Sequence, residues 1–218
     1  MMEMTLAEAL SRVRSMLAEP SDAPTKFWTD EELKQWINEG YINFCQDTKI
    51  LRRRAYCEVE AGEAEVVLPQ EAIRIYNVWF EDKDGKLYVL KRSKREGFIT
   101  VSSSSTAPTT YYITRRDVIH LHPAPSEGGK LYVDYAYVPP YLEEDGDEID
   151  IPERFQPAII HYACYQAMLK QKDLSPKAPS HLAVYQSYVV RAIRENTQLV
   201  DEPSPSFVPH NYREAFRF

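Results

Sequence analysis

A chain of 218 residues, 44% hydrophobic and 27% charged, can bury a real core as one large domain or two modest ones. Seven glycines against 15 prolines leave little for Gly-rich phosphate-cradling loops, which disfavours nucleotide chemistry, while 15 tyrosines suit half-buried, half-wet interface surfaces. The net charge of −7 is local: residues 141–153 carry Glu143, Glu144, Asp145, Asp147, Glu148, Asp150 and Glu153 and no Lys or Arg, so the rest of the chain is balanced.

Thr5 and Glu8 form a capping box that starts a helix, whose stripe Leu6, Leu10, Val13 and Leu17 runs until Glu19-Pro20 stops it. Thr29 and Glu32 form a second box, with Trp28 and Leu33 placed as its hydrophobic staple. Leu33, Trp36, Ile37, Tyr41, Phe44 and Cys45 then share one face. Gly40 stands on that face in mid-helix, where it costs about 1 kcal/mol against Ala. Close approach of another helix is the expected compensation.

From residue 55 the apolar period changes to two. Strands are predicted at 56–60, 65–68, 73–81, 86–91, 97–101, 109–114, 118–122 and 130–138, with Asp84-Gly85 as a hairpin turn. After the acidic stretch, Pro152 and Pro157 suit a helix start, and "AIIHYACYQAML" is apolar nearly all round, so it must be covered on most sides. A last helix has the stripe Leu182, Tyr185, Val189, Ala192 and Ile193, with Arg191, Arg194 and Glu195 opposite. The expected fold class is α+β: a helical bundle from residues 1–50 and 151–200, a β-rich insertion over 51–140, an acidic linker over 141–150, and a C-terminal arm over 201–218. Neither helical end can bury itself alone, so each needs the other.

Candidate chemistry is sparse, and we expect no catalytic residues, no metal and no cofactor. His120 and His122 project the same way from a strand, as two zinc ligands would. Pairing His122 with Lys130 in a hairpin sets Ile119 opposite Val133 and Leu121 opposite Leu131. The histidines then share the other face with Val118, Tyr132 and Asp134, and Asp134 is only diagonal to His120, a poor third ligand. A polar sheet surface is the better reading. His161 reads as a hydrogen-bonded core residue. The acids from Asp145 onward miss EF-hand spacing, with Gly146 second and Gln156 twelfth. Cys45, Cys57 and Cys164, far apart and without C-x-x-C, read as reduced, buried thiols in a cytoplasmic setting. No signal pattern and no long apolar run appears, so neither secretion nor membrane spanning is expected.

Two basic clusters remain. Arg52, Arg53 and Arg54 follow the second helix, and Lys91, Arg92, Lys94 and Arg95 end a strand. They can complement a helix C-terminus and solubilise a sheet edge, or face DNA phosphates without sequence preference.

In order along the chain, "FWTDEELKQWINEGYINFCQDT", "HLHPAPSEGGKLYVDYAYVPPYL" and "DGDEIDIPERFQPAIIHYACYQA" resemble the head-to-tail adaptor (connector or head-completion) family of tailed bacteriophages, over most of residues 5–195. The long β insertion is similar to that of short-tailed-phage members. The resemblance implies a structural virion protein rather than an enzyme. It also implies a homo-oligomeric ring, commonly a dodecamer, that binds beneath the portal protein, extends the DNA channel and receives tail or nozzle proteins. Contact with genomic DNA would be transient and non-specific, no membrane would be involved, and the location would be the virion neck after assembly in the host cytoplasm. Phe207, Tyr212, Arg213, Phe216, Arg217 and Phe218 are the expected portal- or partner-binding arm, and Ile159, Ile160, Tyr162, Tyr165 and Leu169 the expected subunit contacts. The alternatives are a non-specific DNA-binding module using the basic clusters, and a metal-dependent hydrolase at His120 and His122.

Overall fold

The computed structural model describes residues 4–19, 26–93, 107–115, 118–170, 177–201 and 216–217. The fold is α+β and divides into two units, Met1–Leu51 with Val138–Pro205 and Arg52–Tyr137 with Ser206–Phe218.

In the first unit, α1 (Leu6–Met16) and α2 (Asp30–Thr48) both start with complete capping boxes, Thr5 with Glu8 and Thr29 with Glu32. Each box satisfies backbone N–H groups that a helix start leaves open. Arg14, 2% exposed, ties the end of α1 to the start of α2. Its Nε donates to Asp30 at 2.9 Å, and the rest of the guanidinium reaches Glu19 at 3.0 Å and the Trp28 carbonyl at 3.1 Å. Its hydrogen bond to Asp30 holds that carboxyl below the usual range.

α3 (Gln156–Lys170), led in by a 3-10 turn at Glu153–Phe155, is the centre of this unit, contacting α1, α2 and α4 (Lys177–Asp201). Its Ala158, Ile159, Ile160, Ala163, Cys164, Ala167 and Met168 are buried. Trp28 docks on it, its indole N–H donating to the Ala167 carbonyl at 2.9 Å. A methyl group on Gly40 would lie 2.9 Å from Tyr162 Cδ1 and 3.1 Å from its Cβ, so α2 and α3 approach closely at this point. His161 meets a partner across the helix pair: its Nδ1 is 3.0 Å from Nδ1 of His181 on α4. Burial, then the neighbouring positive charge of His181, lowers the His161 pKa, while burial and the charge of Lys177 lower that of His181.

The acidic stretch is exposed along most of its length, yet it is tied to the helices. The Leu6 and Ala7 amides donate to the Asp147 and Asp145 carbonyls at 2.9 and 3.0 Å, so its backbone supplies acceptors to the start of α1. The Asp147 carboxylate accepts the Glu143 and Glu144 amides at 2.7 and 2.9 Å, closing a turn on itself. Asn38 grips Leu142 through both backbone groups, at 2.7 and 3.0 Å, and Ile149 is fully buried. Acid content describes the surface of this segment, while buried Leu142 and Ile149 help fix it to the helices.

The second unit holds β1 (Arg52–Val59), β2 (Glu65–Val67), β3 (Ala72–Glu81), β4 (Leu87–Val89), β5 (Lys91–Arg92), β6 (Thr110–Arg115), β7 (Val118–His122), β8 (Gly129–Tyr137) and β9 (Phe216–Arg217). One sheet has the order β4-β3-β8-β1-β9 and the other β2-β7-β6-β5. The strand expected at 97–101 lies outside the described residues. The expected β7–β8 hairpin does not form: β7 pairs with β2 and β6, and β8 with β1 and β3. Pro123 and Pro125 lack the N–H groups that would continue such a ladder, and the chain passes to the other sheet instead. The expected facing survives without the pairing, because Ile119, Leu121, Leu131 and Val133 are all fully buried.

Gly40→Ala should cost about 1–3 kcal/mol through overpacking against Tyr162, set against roughly 1 kcal/mol gained in helix propensity, for a net destabilisation of up to about 2 kcal/mol. Denaturant unfolding of this variant, alone and with Tyr162→Ala to relieve the clash, checks this; a stabilised single variant would contradict it. Stability should also depend on pH through the histidine pair. Both imidazoles bind protons less readily folded than unfolded, so the unfolded state gains more protons as pH falls below the ordinary value of 6.5, and stability is lost in that direction. Unfolding curves between about pH 7 and 5.5 should show this loss, and His161→Gln with His181→Gln should reduce it; a loss of the same size in the double variant would refute the assignment.

Candidate functional site

Because strand side chains alternate, the arginine triplet of β1 splits between the two faces of its sheet. Arg52, Arg54 and Tyr56 share the outer face with Tyr132 and Asp134 of β8 and Trp79 of β3. Arg54 holds Asp134 with two parallel bonds, 2.6 and 2.9 Å, and its guanidinium lies 4.9 Å from the Trp79 ring centroid. Arg52, exposed, stacks at 4.3 Å on Tyr76, which Arg74 also approaches at 5.2 Å. The Tyr56 and Tyr132 rings are 5.7 Å apart, and the Tyr132 hydroxyl donates to Glu81 at 2.8 Å. On the opposite face Arg53 stacks at 4.3 Å on Tyr137 and lies 3.9 Å from Glu71. Glu71 also accepts from the Tyr135 hydroxyl at 3.2 Å; burial, aided by that carboxylate, pushes the phenol up to about 12.

The triplet therefore does not complement a helix terminus. α2 ends at Thr48 with Lys49 in the left-handed conformation as its cap, and Arg52 is already in β1. Stacked guanidinium groups among Trp and Tyr make a surface of the residue types that dominate protein interfaces. Lys91 and Arg92 are exposed on β5, paired with Thr110 and Tyr111 of β6, while Lys94 and Arg95 lie outside the described residues.

His120 stacks on Tyr112 at 4.7 Å, with its Nδ1 3.6 Å from Glu65 Oε1. Asp134 belongs to the other sheet and cannot complete a ligand set there. Among the described residues, no group of three or more His, Cys, Asp or Glu side chains could hold a metal ion. All three cysteines are buried, which pushes their thiols up, Cys57 and Cys164 to about 12, so they are protonated and poor nucleophiles at neutral pH. An open groove of about 800 Å³ is bordered by Glu58, Glu60, Glu63, Glu81, Asp82 and Lys130 among others, a spatial gathering of acids that the linear sequence does not reveal.

Five residues of α3 were expected to contact another subunit. Ile159 and Ile160 are 0% and 4% exposed, already covered within their own unit. Tyr162 is half-buried, its hydroxyl accepting from Asn43 at 3.1 Å and Gln166 at 2.9 Å, and its ring packs on Tyr185. Tyr165 is half-buried, and Leu169 is 43% exposed. The apolar surface of α3 thus does not by itself demand a second chain. Phe27 and Val190, 52% and 57% exposed, were not among the expected contacts. Val190 stands beside the apolar stripe of its helix and next to Arg191, and that misplacement was the available signal.

In the expected arm, Phe216 and Arg217 form β9, parallel to β1 with Ala55 opposite Phe216 and Tyr56 opposite Arg217. Phe207, Tyr212, Arg213 and Phe218 lie outside the described residues.

A family model described as SU10 adaptor protein matches residues 4–206. No curated protein matches the sequence. The family match runs through both the helical and the β unit, and the chain belongs to the SU10 adaptor protein family, a family of structural adaptors of bacteriophages.

Proposed function

We propose that this adaptor is the repeating subunit of a homo-oligomeric ring beneath the portal protein, extending the DNA channel and receiving tail or nozzle proteins in the virion neck after assembly in the host cytoplasm. The observation that carries this reading is the family match over residues 4–206, which takes in the β unit as part of the adaptor rather than as an added module. Ring contacts are heterologous, one patch of each subunit meeting a different patch of the next, and rotation closes them. In the helical unit, exposed Leu169 and Val190 supply apolar surface for such contacts, together with Phe27 and Ile193. The C-terminal arm serves as the partner-binding segment. DNA passing through the ring meets the exposed Lys91 and Arg92 without sequence preference.

Native mass measurement of the chain mixed with its portal should give particles with a fixed multiple of this subunit, commonly twelve in head-to-tail adaptors; a chain that stays single and ignores portal would overturn the reading. Leu169→Asp and Val190→Asp should weaken assembly at least about tenfold, equivalent to roughly 1.4 kcal/mol, while leaving the unfolding midpoint of the single chain within a few degrees. Assembly unchanged in both variants would remove these residues from the contact. Random duplex DNA should bind weakly and release as salt rises, with Lys91→Gln and Arg92→Gln flattening the dependence; an identical slope in the variants would exclude these side chains.

A further inference from the structure

The helical unit carries a groove of about 300 Å³ lined by Arg12, Ser15 and Met16 of α1 and by Pro157, Ile160 and His161 of α3. Much of the lining is apolar: Ile160 is buried, Pro157 is half-buried and Met16 is 46% exposed. A volume at the low end for binding pockets leaves room for one aromatic side chain rather than a large ligand. Arg12 is exposed and, among the described residues, has no acidic partner. The groove thus offers an apolar slot beside an uncompensated positive charge.

The same unit carries the complement of that slot. Tyr141 is 58% exposed, although the next residue, Leu142, is buried and gripped by Asn38 through both backbone groups. The Asp147 carboxylate pins the amides of Glu143 and Glu144. The ring therefore projects from a backbone that is already fixed, and little freedom is lost when it is covered. The Glu143 and Glu144 carboxylates are exposed and, among the described residues, have no basic partner.

Tyr141 does not line the groove of its own chain, so knob and slot are different patches of one subunit, as a heterologous ring contact requires. We infer that in the assembled ring Tyr141 of each subunit seats in the groove of the next, with Glu143 and Glu144 beside Arg12, so that a second copy of this chain is the occupant. This inference rests on the ring reading above and names its contact. An aromatic ring suits the slot, because its edge is attracted to the Met16 sulfur and its face to a guanidinium. Charge points the same way: two acids without cations meet a cation without acids, a pairing that fixes orientation and partner choice. A tyrosine seated in a pocket is a common form of binding anchor, with the contacts around it keeping water out.

The test uses full-length chains assembled on portal, with the subunit concentration at half-assembly read by native mass measurement. Tyr141→Ala should raise that concentration at least about tenfold. Arg12→Glu should do the same, as should Glu143→Lys with Glu144→Lys. A chain carrying all of these charge reversals should return to within about threefold of the unaltered chain, because each subunit then offers both a reversed knob and a reversed slot. Portal, unaltered in the mixture, could not supply that rescue. The substituted side chains are exposed, so the unfolding midpoint of the single chain should stay within a few degrees in every variant, which separates lost contact from lost fold. Weakened assembly without rescue would assign these residues to portal or another protein and overturn the second copy as occupant. A ring that forms equally well in every variant would overturn the contact while leaving the ring in place. An unaltered chain that never assembles would overturn the ring reading and the contact with it.

Discussion

α3 is apolar on nearly every side, so it can exist in water only if something covers nearly every side. The cover comes from α1 and α2 at the start of the chain and α4 near its end. Tyr162 against Gly40 and the Trp28 indole on the Ala167 carbonyl show how closely it fits. Each fully buried Ile or Met side chain on such a helix contributes about 1.5–3 kcal/mol relative to exposure. None of that is gained until both ends of the chain are in place. The β block, held between Leu51 and Val138, is therefore an insertion as a consequence of how α3 is buried.

The two faces of one sheet in the β unit carry different side chains. Ala55, Val59, Val78, Phe80, Leu131 and Val133 are buried on one side. The other carries Trp79, Tyr56 and Tyr132 interleaved with Arg52, Arg54 and Asp134. Stacking keeps the arginines extended and close to the sheet, so little side-chain freedom remains to be lost if a partner binds there.

Signals that act within a few residues are legible in the amino-acid sequence: both capping boxes, the Gly40 approach, and the α+β class. Alternation in 118–122 and 130–138 tells correctly that Ile119, Leu121, Leu131 and Val133 are buried, yet it misses buried Tyr132 and Ala136 and does not say which strand pairs with which, because any strand with a matching apolar face satisfies the same pattern. An all-round apolar α3 announces that cover is needed, but not that the cover lies in the same chain. Charge alone cannot place Arg52, Arg53 and Arg54, since only the strand's alternation and the rings of Tyr76, Tyr137 and Trp79 decide where each guanidinium goes. The acidic run hides Leu142 and Ile149, the two residues that hold it down. The β1 edge and its C-terminal strand depend on contact between distant parts of the chain, which no local window contains.

As proposed above, this chain is one unit of a ring joining a phage head to its tail. Electron cryomicroscopy of the intact virion neck addresses that claim without reconstitution. A closed collar of copies of this chain, directly below the portal and surrounding the DNA channel, is expected. A neck whose density between portal and tail is filled by other proteins, with this chain elsewhere in the particle or missing from it, would contradict the account.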